Sequence, residues 1–478
     1  MAERNKKISL LLGPMLFIIL WAVNPLGLEN APCRVIAVMA WMLTWWITES
    51  VPMAITALLP IVLFPLLGIM SLEKTCLSYS NRSVFLFMGG FIIALAMEKW
   101  NLHRRLALGV IKRTGTNANR IIFGFFLATY LISMWISNTA TTLMMLPIAL
   151  SVITLLVKEG DLANNKGMRN FAITIMLSIA YGSSIGGIGT LVGTPPNSSM
   201  AATLANDTFN HAVTFFEWMK YAFPFSIALL LLSYFVLVKF IFPNRLGHFE
   251  EAKAHIRSEA HALGKWTVTE KRIFIVFVCT AILWIVQDPI SAVLKPHGVE
   301  FTDTSIAIIA GALLFMIPAN KKWTEPILKW KDSEKLHWGI LLMFGGGMSL
   351  AEGFTSSGLM AKITVMMNSL DKSNLFLFGF ILCVAGLFLT ALMSNIAMVN
   401  IFIPVVATLA IGCGVSPEIY AIPVTIAASC DFMFPMSTPP NAIAYSSGYI
   451  KSSEMLKAGL VLNLISLLLL MLLVYIMI

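Results

Sequence analysis

Charged residues are scarce in this sequence. They make up only 12% of the 478 residues, whereas hydrophobic residues make up 58%. A typical soluble domain has about 25% charged residues, so this chain lacks the polar side chains that a water-facing surface of its size requires. The composition excludes a soluble enzyme, a nucleic-acid-binding protein and a disordered scaffold. It indicates a polytopic membrane protein, whose apolar runs leave room for about ten to twelve crossings of roughly 20 residues each.

Motifs for catalysis and metal binding are also missing. The sequence has no HExxH motif and no phosphate-binding P-loop motif, and its six cysteines form no CxxC pair. The seven histidines fall in predicted loops or at the ends of predicted spans, so they support neither a metal site nor a proton relay. We therefore predict that the protein is not an enzyme and has no organic cofactor.

Lysine and arginine are unevenly distributed along the chain. If segment 121–157 begins and ends in the cytoplasm and segment 374–411 begins and ends outside, all but seven of the 33 basic residues are cytoplasmic. Cytoplasmic loops of membrane proteins are enriched in these residues. The distribution therefore predicts a cytoplasmic N-terminus and an external C-terminus. Two full spans in each segment would give the same parity, so charge does not distinguish full spans from re-entrant hairpins.

Short motifs occur twice, in the same order. The first-half copies are Phe87-Met88-Gly89-Gly90, Ser137-Asn138-Thr139-Ala140 and Pro147, and each recurs 257 residues later, as Phe344-Gly345-Gly346-Gly347, Ser394-Asn395-Ile396-Ala397 and Pro404. A further motif, Gly193-Thr194-Pro195-Pro196-Asn197, recurs 244 residues later as Ser437-Thr438-Pro439-Pro440-Asn441. The predicted sidedness places the two Ser-Asn copies on opposite sides of the membrane. The halves are therefore predicted to be inverted repeats, a plan of many secondary transporters that bind substrate near the bilayer midplane.

The Thr-Pro-Pro motifs predict helix breaks at membrane depth, because two successive prolines provide no N–H groups for a helix. Backbone groups freed in hydrocarbon need a protein, water or ligand partner. Unwound carbonyls with Ser and Asn oxygens suit a small cation, and helix N-termini suit an anion. We infer that the paired breaks bind both.

The motif-bearing segments 121–157, 170–219 and 373–450 contain no lysine or arginine. An anion held there has no positively charged side chain to pair with. Because removal of an unpaired charge from water is costly, we expect cations to bind and travel with the anion. This pattern predicts cation-coupled anion symport. Asp431, just before the second break, is either a residue close to the cation or a structural cap, and the sequence leaves both readings open.

The paired Ser-Asn and Thr-Pro-Pro motifs resemble those of the divalent anion/sodium symporter family (DASS), the INDY-type dicarboxylate carriers. The stretch from Ser429 to Ile443 is similar to the C-terminal signature of that family, with Ala444 in place of a valine. The resemblance covers nearly the whole chain. It implies an all-α inverted-repeat secondary transporter with two re-entrant hairpins and broken helices. It also implies a homodimer in the plasma (inner) membrane that works by an elevator movement.

The resemblance also implies the binding residues. The first sodium ion would be held by Ser133, Ser137, Asn138 and the backbone of Gly193, and the second by Thr390, Asn395 and the backbones of Met393 and Ser437. A dicarboxylate substrate would contact Asn138, Thr139, Thr194, Pro195, Asn395, Thr438 and Pro439. Ile396 replaces the threonine of the second Ser-Asn motif, which removes one expected hydroxyl from the substrate site.

The same resemblance divides each repeat into a scaffold part and a transport part. The expected scaffold regions are 1–83, the span and cytoplasmic linker 211–272, and 273–338, and a last transmembrane helix covers 451–478. The expected transport regions are 84–210, with hairpin 121–157 and broken helix 171–206, and 339–450, with hairpin 374–411 and broken helix 417–447.

Sodium-coupled import of a C4 dicarboxylate such as succinate, malate or fumarate is the function that these features favour. Sodium-independent dicarboxylate exchange is the nearest alternative, and the intact Ser133, Ser137, Asn138, Thr390 and Asn395 argue against it. A sulfate or citrate symporter with the same mechanism is a third possibility. The expected partners are the dicarboxylate, sodium and the lipid bilayer, with no nucleic acid.

Overall fold

The structure, a computed structural model, describes residues 2–25, 27–156, 165–206, 208–362, 374–391 and 393–478. These residues are mostly α-helical, and within them β-structure is limited to two isolated bridges. Residues 157 and 392 of the predicted hairpins, and residues 158–164, 207 and 363–373 elsewhere in the predicted transport regions, lie outside the described residues. The described chain confirms the all-α prediction.

Helices of the first half follow one another with short connections. They are α1 (Ala2–Val23), α2 (Asn30–Thr48), α3 (Met53–Thr56), α4 (Leu59–Leu66), α5 (Leu72–Tyr79), α6 (Arg82–Lys99), α7 (Leu102–Ile111), α8 (Ala118–Ser133), α9 (Asn138–Leu156), α10 (Lys166–Ile188), α11 (Pro195–Leu204) and α12 (Phe215–Val236). A π-helical turn, Leu237–Ile241, extends α12.

A surface helix in the linker precedes the helices of the second half. These elements are α13 (Glu250–Ala262), α14 (Val268–Ile285), α15 (Gln287–Leu294), α16 (Asp303–Met316), α17 (Trp338–Ser356), α18 (Leu375–Thr390), α19 (Asn395–Gly412), α20 (Glu418–Ser429), α21 (Pro439–Ser446) and α22 (Ser452–Met477).

Seven helical stretches of the described chain are long and apolar enough to cross a membrane, and the bent pair α14–α15 raises this number to eight. The apolar runs of the sequence leave room for ten to twelve crossings. The difference arises because six other apolar stretches form helices of only 10–17 residues, shorter than the roughly 20 residues that span a bilayer. Several of these short helices lie next to the predicted breaks.

Both Thr-Pro-Pro motifs interrupt a helix and start the next one. Helix α10 ends at Ile188 and α11 begins at Pro195, while α20 ends at Ser429 and α21 begins at Pro439. Proline suits the first helical position because its φ is fixed and its missing N–H would have no partner there. The breaks predicted within 171–206 and 417–447 are therefore confirmed.

Helix α10 lies at the centre of the protein, and its apolar window is completely buried. It packs closely against α8. A methyl group at Gly186 would collide with the carbonyl oxygen of Tyr130 on α8. Glycine at this position allows the two helix backbones to approach closely.

The two copies of the first repeated motif meet inside the protein. The rings of Phe87 and Phe344 are 5.3 Å apart between centroids, in an edge-to-face arrangement. A Cβ at Gly89 would lie 2.5 Å from the Ala307 carbonyl oxygen, and a Cβ at Gly346 would lie 2.5 Å from that of Ala57. The duplicated glycines therefore make equivalent backbone contacts in the two halves.

Each short helix after a break packs against a hairpin of the other half. Helix α11 packs on α19, and α21 packs on α9. The hydroxyl of Ser199 on α11 donates a hydrogen bond to the side-chain oxygen of Asn400 on α19. These contacts between the halves bring the two Ser-Asn regions and the two Thr-Pro-Pro regions together.

Candidate functional site

Each Ser-Asn motif lies where a helix stops and a second one restarts. Helices α8 and α9 are separated by residues 134–137, and α18 and α19 by residues 391–394. The Ser133 hydroxyl donates to Asn138 Oδ1 at 2.7 Å, and the Thr390 hydroxyl donates to Asn395 Oδ1 at 2.8 Å. The structure therefore brings together two predicted sodium ligands in each half, with the same geometry.

The serine before each asparagine caps the helix that follows. Ser137 Oγ accepts a hydrogen bond from the backbone N–H of Ala140 at 3.2 Å, and Ser394 Oγ accepts one from Ala397 at 3.3 Å. Serine is favoured at this position because its oxygen satisfies an N–H that has no partner within the helix. Ser137 thus has a structural role besides its predicted place at the first sodium ion.

An asparagine inside each Thr-Pro-Pro helix holds the preceding break in shape. Asn197 Nδ2 donates to the carbonyl oxygens of Gly187 at 2.9 Å and Thr190 at 2.8 Å. In the second half, Asn441 Nδ2 donates to the carbonyl oxygens of Asp431 at 3.2 Å and Phe434 at 3.1 Å. The acceptors correspond under the 244-residue offset, so the two breaks share one hydrogen-bonded frame.

The first predicted sodium site is compact. A Cβ at Gly193 would lie 3.0 Å from the carbonyl oxygen of Met134, at the tip of the first hairpin, and a Cβ at Gly187 would lie 2.5 Å from Asn138 Oδ1. The backbone of the break therefore touches the hairpin tip next to the pair formed by Ser133 and Asn138. This places Gly193 together with the other predicted ligands of the first sodium ion.

A cavity of about 40 Å³ adjoins this site. Its lining includes Ser137, Gly193 and Pro195 from the motifs, together with Glu98 and Lys335. A volume of this size holds only a few water molecules. Residues of the first Ser-Asn and Thr-Pro-Pro motifs therefore line one cavity together with two charged side chains.

Lys335 and His337 are residues of this cavity that the motif analysis missed. They precede α17 and lie far in sequence from Ser137 and Gly193, so only the fold shows their proximity to these two residues. The lysine is exposed, and Glu98 lies close enough to interact with its charge. The motif segments lack basic residues, but the surroundings of the first site do not.

The second predicted sodium site is less complete. Thr390 is buried and also donates to the carbonyl oxygen of Ala428 at 2.7 Å, which ties the hairpin tip to α20. Met393 packs against the hydrophobic cluster formed with the N-terminal helices, and so does Ile396. Among the described residues, no hydrogen bond joins Met393 or Ser437 to the pair formed by Thr390 and Asn395.

The predicted substrate contacts differ in exposure. Asn138, Thr139, Pro195 and Asn395 are half-buried, Thr194 and Thr438 are buried, and Pro439 is exposed. The Thr438 hydroxyl accepts a hydrogen bond from the backbone N–H of Asn441, whereas Thr194 makes no such side-chain cap. The two threonine hydroxyls therefore differ in their hydrogen bonding, although the sequence motifs match.

Two solved structures of transport proteins share this fold. The chain aligns with the YdaH transporter of Alcanivorax borkumensis at a TM-score of 0.56 and 15% identity, over 84% of this chain and 87% of that one. It aligns with MtrF of Neisseria gonorrhoeae at a TM-score of 0.55 and 15% identity, over 85% and 83% of the two chains. The likeness shows that this chain shares the fold of these two polytopic proteins.

The family follows from sequence. Residues 3–478 match the model of the sodium:sulfate symporter transmembrane region. The sodium-dependent dicarboxylate transporters SdcS of Staphylococcus saprophyticus and Staphylococcus aureus are 36% and 38% identical to this chain, over 98% of it and 90% of each relative. The chain belongs to the divalent anion/sodium symporter family. This confirms the prediction of a transporter rather than an enzyme.

Proposed function

We propose that the protein is a symporter that uses sodium to import C4 dicarboxylates such as succinate, malate or fumarate. The observation that carries this proposal is the duplicated hydroxyl–amide pair, Ser133 with Asn138 and Thr390 with Asn395, at the two hairpin tips. Each pair presents neutral oxygens beside a broken helix, as suits a small hard cation. The names of the SdcS relatives support both the sodium and the dicarboxylate.

Charge balance also supports coupling. A dianion that leaves water needs compensating positive charge, and the three motif segments contain no basic residue. Lys335 at the first cavity is exposed to solvent, and the acid Glu98 lines the same cavity. Sodium ions at the hairpin tips supply the missing charge beside the substrate.

Ion pairs support the proposed sidedness and the inverted repeat. Arg169 pairs with Glu454 at the side assigned to the cytoplasm, and Lys74 pairs with Glu352 at the side assigned to the outside. The other described ion pairs likewise join residues assigned to one side. Helices α6 and α17, which carry the matching glycine motifs, then cross the membrane in opposite directions.

We also propose that the protein is a homodimer and works by an elevator movement of the transport regions against the scaffold. A separate hydrophobic cluster joins α1–α4 to α17 and to the start of α19. The cluster therefore lies between scaffold region 1–83 and transport region 339–450, where the proposed movement would take place.

Uptake by the purified protein in proteoliposomes tests this function. We expect radiolabelled succinate to accumulate when an inward sodium gradient is imposed, and to enter poorly when potassium or choline replaces sodium. Equal uptake in all three cations, together with a requirement for internal dicarboxylate, would instead establish a sodium-independent exchanger. Sodium-driven uptake of sulfate or citrate in preference to succinate would show that the mechanism is correct but that the substrate is a different anion.

A further inference from the structure

Asp431 is the most completely buried acidic side chain among the described residues, with 1% exposure. Neither of its carboxylate oxygens has a hydrogen-bond partner among those residues. The other buried acids are paired: Glu270 with Arg105, Glu352 with Lys74, and one oxygen of Asp303 with the backbone N–H of Phe215. A buried carboxylate with no donor is costly, so its presence needs an explanation.

The surroundings of Asp431 are rich in oxygen atoms that act as acceptors. The Ser437 hydroxyl lies beside the carboxylate but donates its proton to the carbonyl oxygen of Phe434 at 2.8 Å. Asn441 directs its amide nitrogen to backbone carbonyls and to Ser437 Oγ, which leaves its Oδ1 without a partner. The buried hydroxyl of Ser429 also has no partner among the described residues. Carboxylate, amide and hydroxyl oxygens are the ligands that a hard cation prefers.

The repeat indicates where the carboxylate points. Under the offset that relates Asn197 to Asn441, the residue that corresponds to Asp431 is Gly187. A Cβ at Gly187 would lie 2.5 Å from Asn138 Oδ1, so this position faces the asparagine of the first Ser-Asn motif. The matching position in the second half is that of Asp431, and the matching asparagine is Asn395.

A chain of contacts links the same region to the second sodium site. Asn395 Oδ1 accepts a hydrogen bond from Thr390, and Thr390 also donates to the carbonyl oxygen of Ala428, three residues before Asp431. We propose that the carboxylate of Asp431 is a ligand of the second sodium ion, which gives that site a full negative charge that the first site lacks. This inference rests on the proposed sodium-coupled function.

The charge has a measurable consequence. A site with a carboxylate holds sodium before the substrate arrives, because the ion then neutralises a buried charge rather than only replacing water. The first site offers neutral oxygens, and its cation binds most favourably together with the dianion. The two sodium ions should therefore differ in affinity in the absence of substrate.

Asp431→Asn in the full-length protein tests the assignment. Thermal stability of the purified protein is titrated with sodium in choline buffer without substrate, and succinate uptake is titrated with sodium in proteoliposomes. We expect the half-saturating sodium concentration to rise at least about tenfold in both titrations, since one charged ligand is lost. Asp303→Asn is the matched control, because Asp303 is also buried but bonds the backbone N–H of Phe215.

Each outcome has a distinct meaning. A sodium titration of Asp431→Asn that matches the wild type, in a protein whose uptake needs sodium, would overturn the carboxylate ligand and leave the proposed function standing. Sodium-independent uptake by the wild type would overturn the proposed function itself. If Asp431→Asn is not recovered folded, the same titrations on Asp431→Gly, which carries the residue of the first repeat, decide the question by the same criterion.

Discussion

Asn138 and Asn395 are the residues on which the proposed site depends most. Each accepts a hydrogen bond from the hydroxyl five residues earlier, and each begins a helix at a hairpin tip. Their amide nitrogens make no hydrogen bond within the described residues. The oxygen can therefore serve a cation while the N–H₂ group serves a carboxylate, a combination that alanine lacks.

Replacement of either asparagine by alanine should abolish transport without unfolding the protein. A hydrogen bond to a charged group contributes about 1.5–3 kcal/mol, which corresponds to a loss of roughly 10–100-fold for each contact. The measurement is sodium-driven succinate uptake, with Asn320→Ala as the control, because Asn320 bonds Thr324 in a surface turn. Uptake at the wild-type level by Asn138→Ala or Asn395→Ala would show that the site is elsewhere.

Ile396→Thr should change the preference among dicarboxylates. The substitution restores a hydroxyl next to Asn395, and one hydrogen bond is worth about 1 kcal/mol, or roughly a fivefold change in affinity. Competition of malate, fumarate and citrate with labelled succinate measures the preference. Ile396 also packs against the N-terminal cluster, so an unchanged profile would mean that this side chain serves packing alone.

At the scale of helices, the closest approach of α8 and α10 supports the first site. The two helices meet at Gly186, and the next residue, Gly187, leaves room for the amide of Asn138. Small residues at such contacts let helices pack tightly in a membrane. The packing of these helices and the geometry of the sodium site therefore depend on the same pair of glycines.

Gly186→Ala should destabilise the protein by about 1–3 kcal/mol, because the added methyl group collides with the backbone of Tyr130. Gly109→Ala on α7 is the matched control, since a Cβ there meets nothing within 4 Å. The control should be neutral or gain up to about 1 kcal/mol from helix propensity. Thermal unfolding of both variants in detergent compares them, and equal stability would contradict the proposed close contact.

The broken helices were predictable because proline allows only a few backbone conformations and lacks an N–H donor, and because the motifs repeat at constant spacing. The number of membrane-crossing helices could not be predicted in this way. Hydropathy does not show where an apolar run divides into short helices. Lys335 was missed for a different reason. Its approach to Ser137 depends on how α17 packs against α6, and no local pattern in the sequence encodes that contact.

For the whole molecule, the internal repeat explains why two sites of similar geometry exist on one chain. Equivalent hydrogen bonds at both hairpin tips and both breaks follow from duplicated sequence, which the spacing revealed. The differences between the halves are what the repeat does not predict. In the second half, Ile396 stands where the first half has a threonine, and Asp431 stands where the first half has Gly187. The helix break is buried in the first half and more exposed in the second.

Succinate binding to the purified protein, followed by thermal shift in sodium and in choline buffers, tests most directly whether metal ions must accompany the dianion. We predict that succinate stabilises the protein only when sodium is present, because the motif segments provide no basic partner for the carboxylates. Stabilisation of equal size in choline would contradict sodium coupling. It would show that protein groups, with Lys335 the first candidate, neutralise the substrate by themselves.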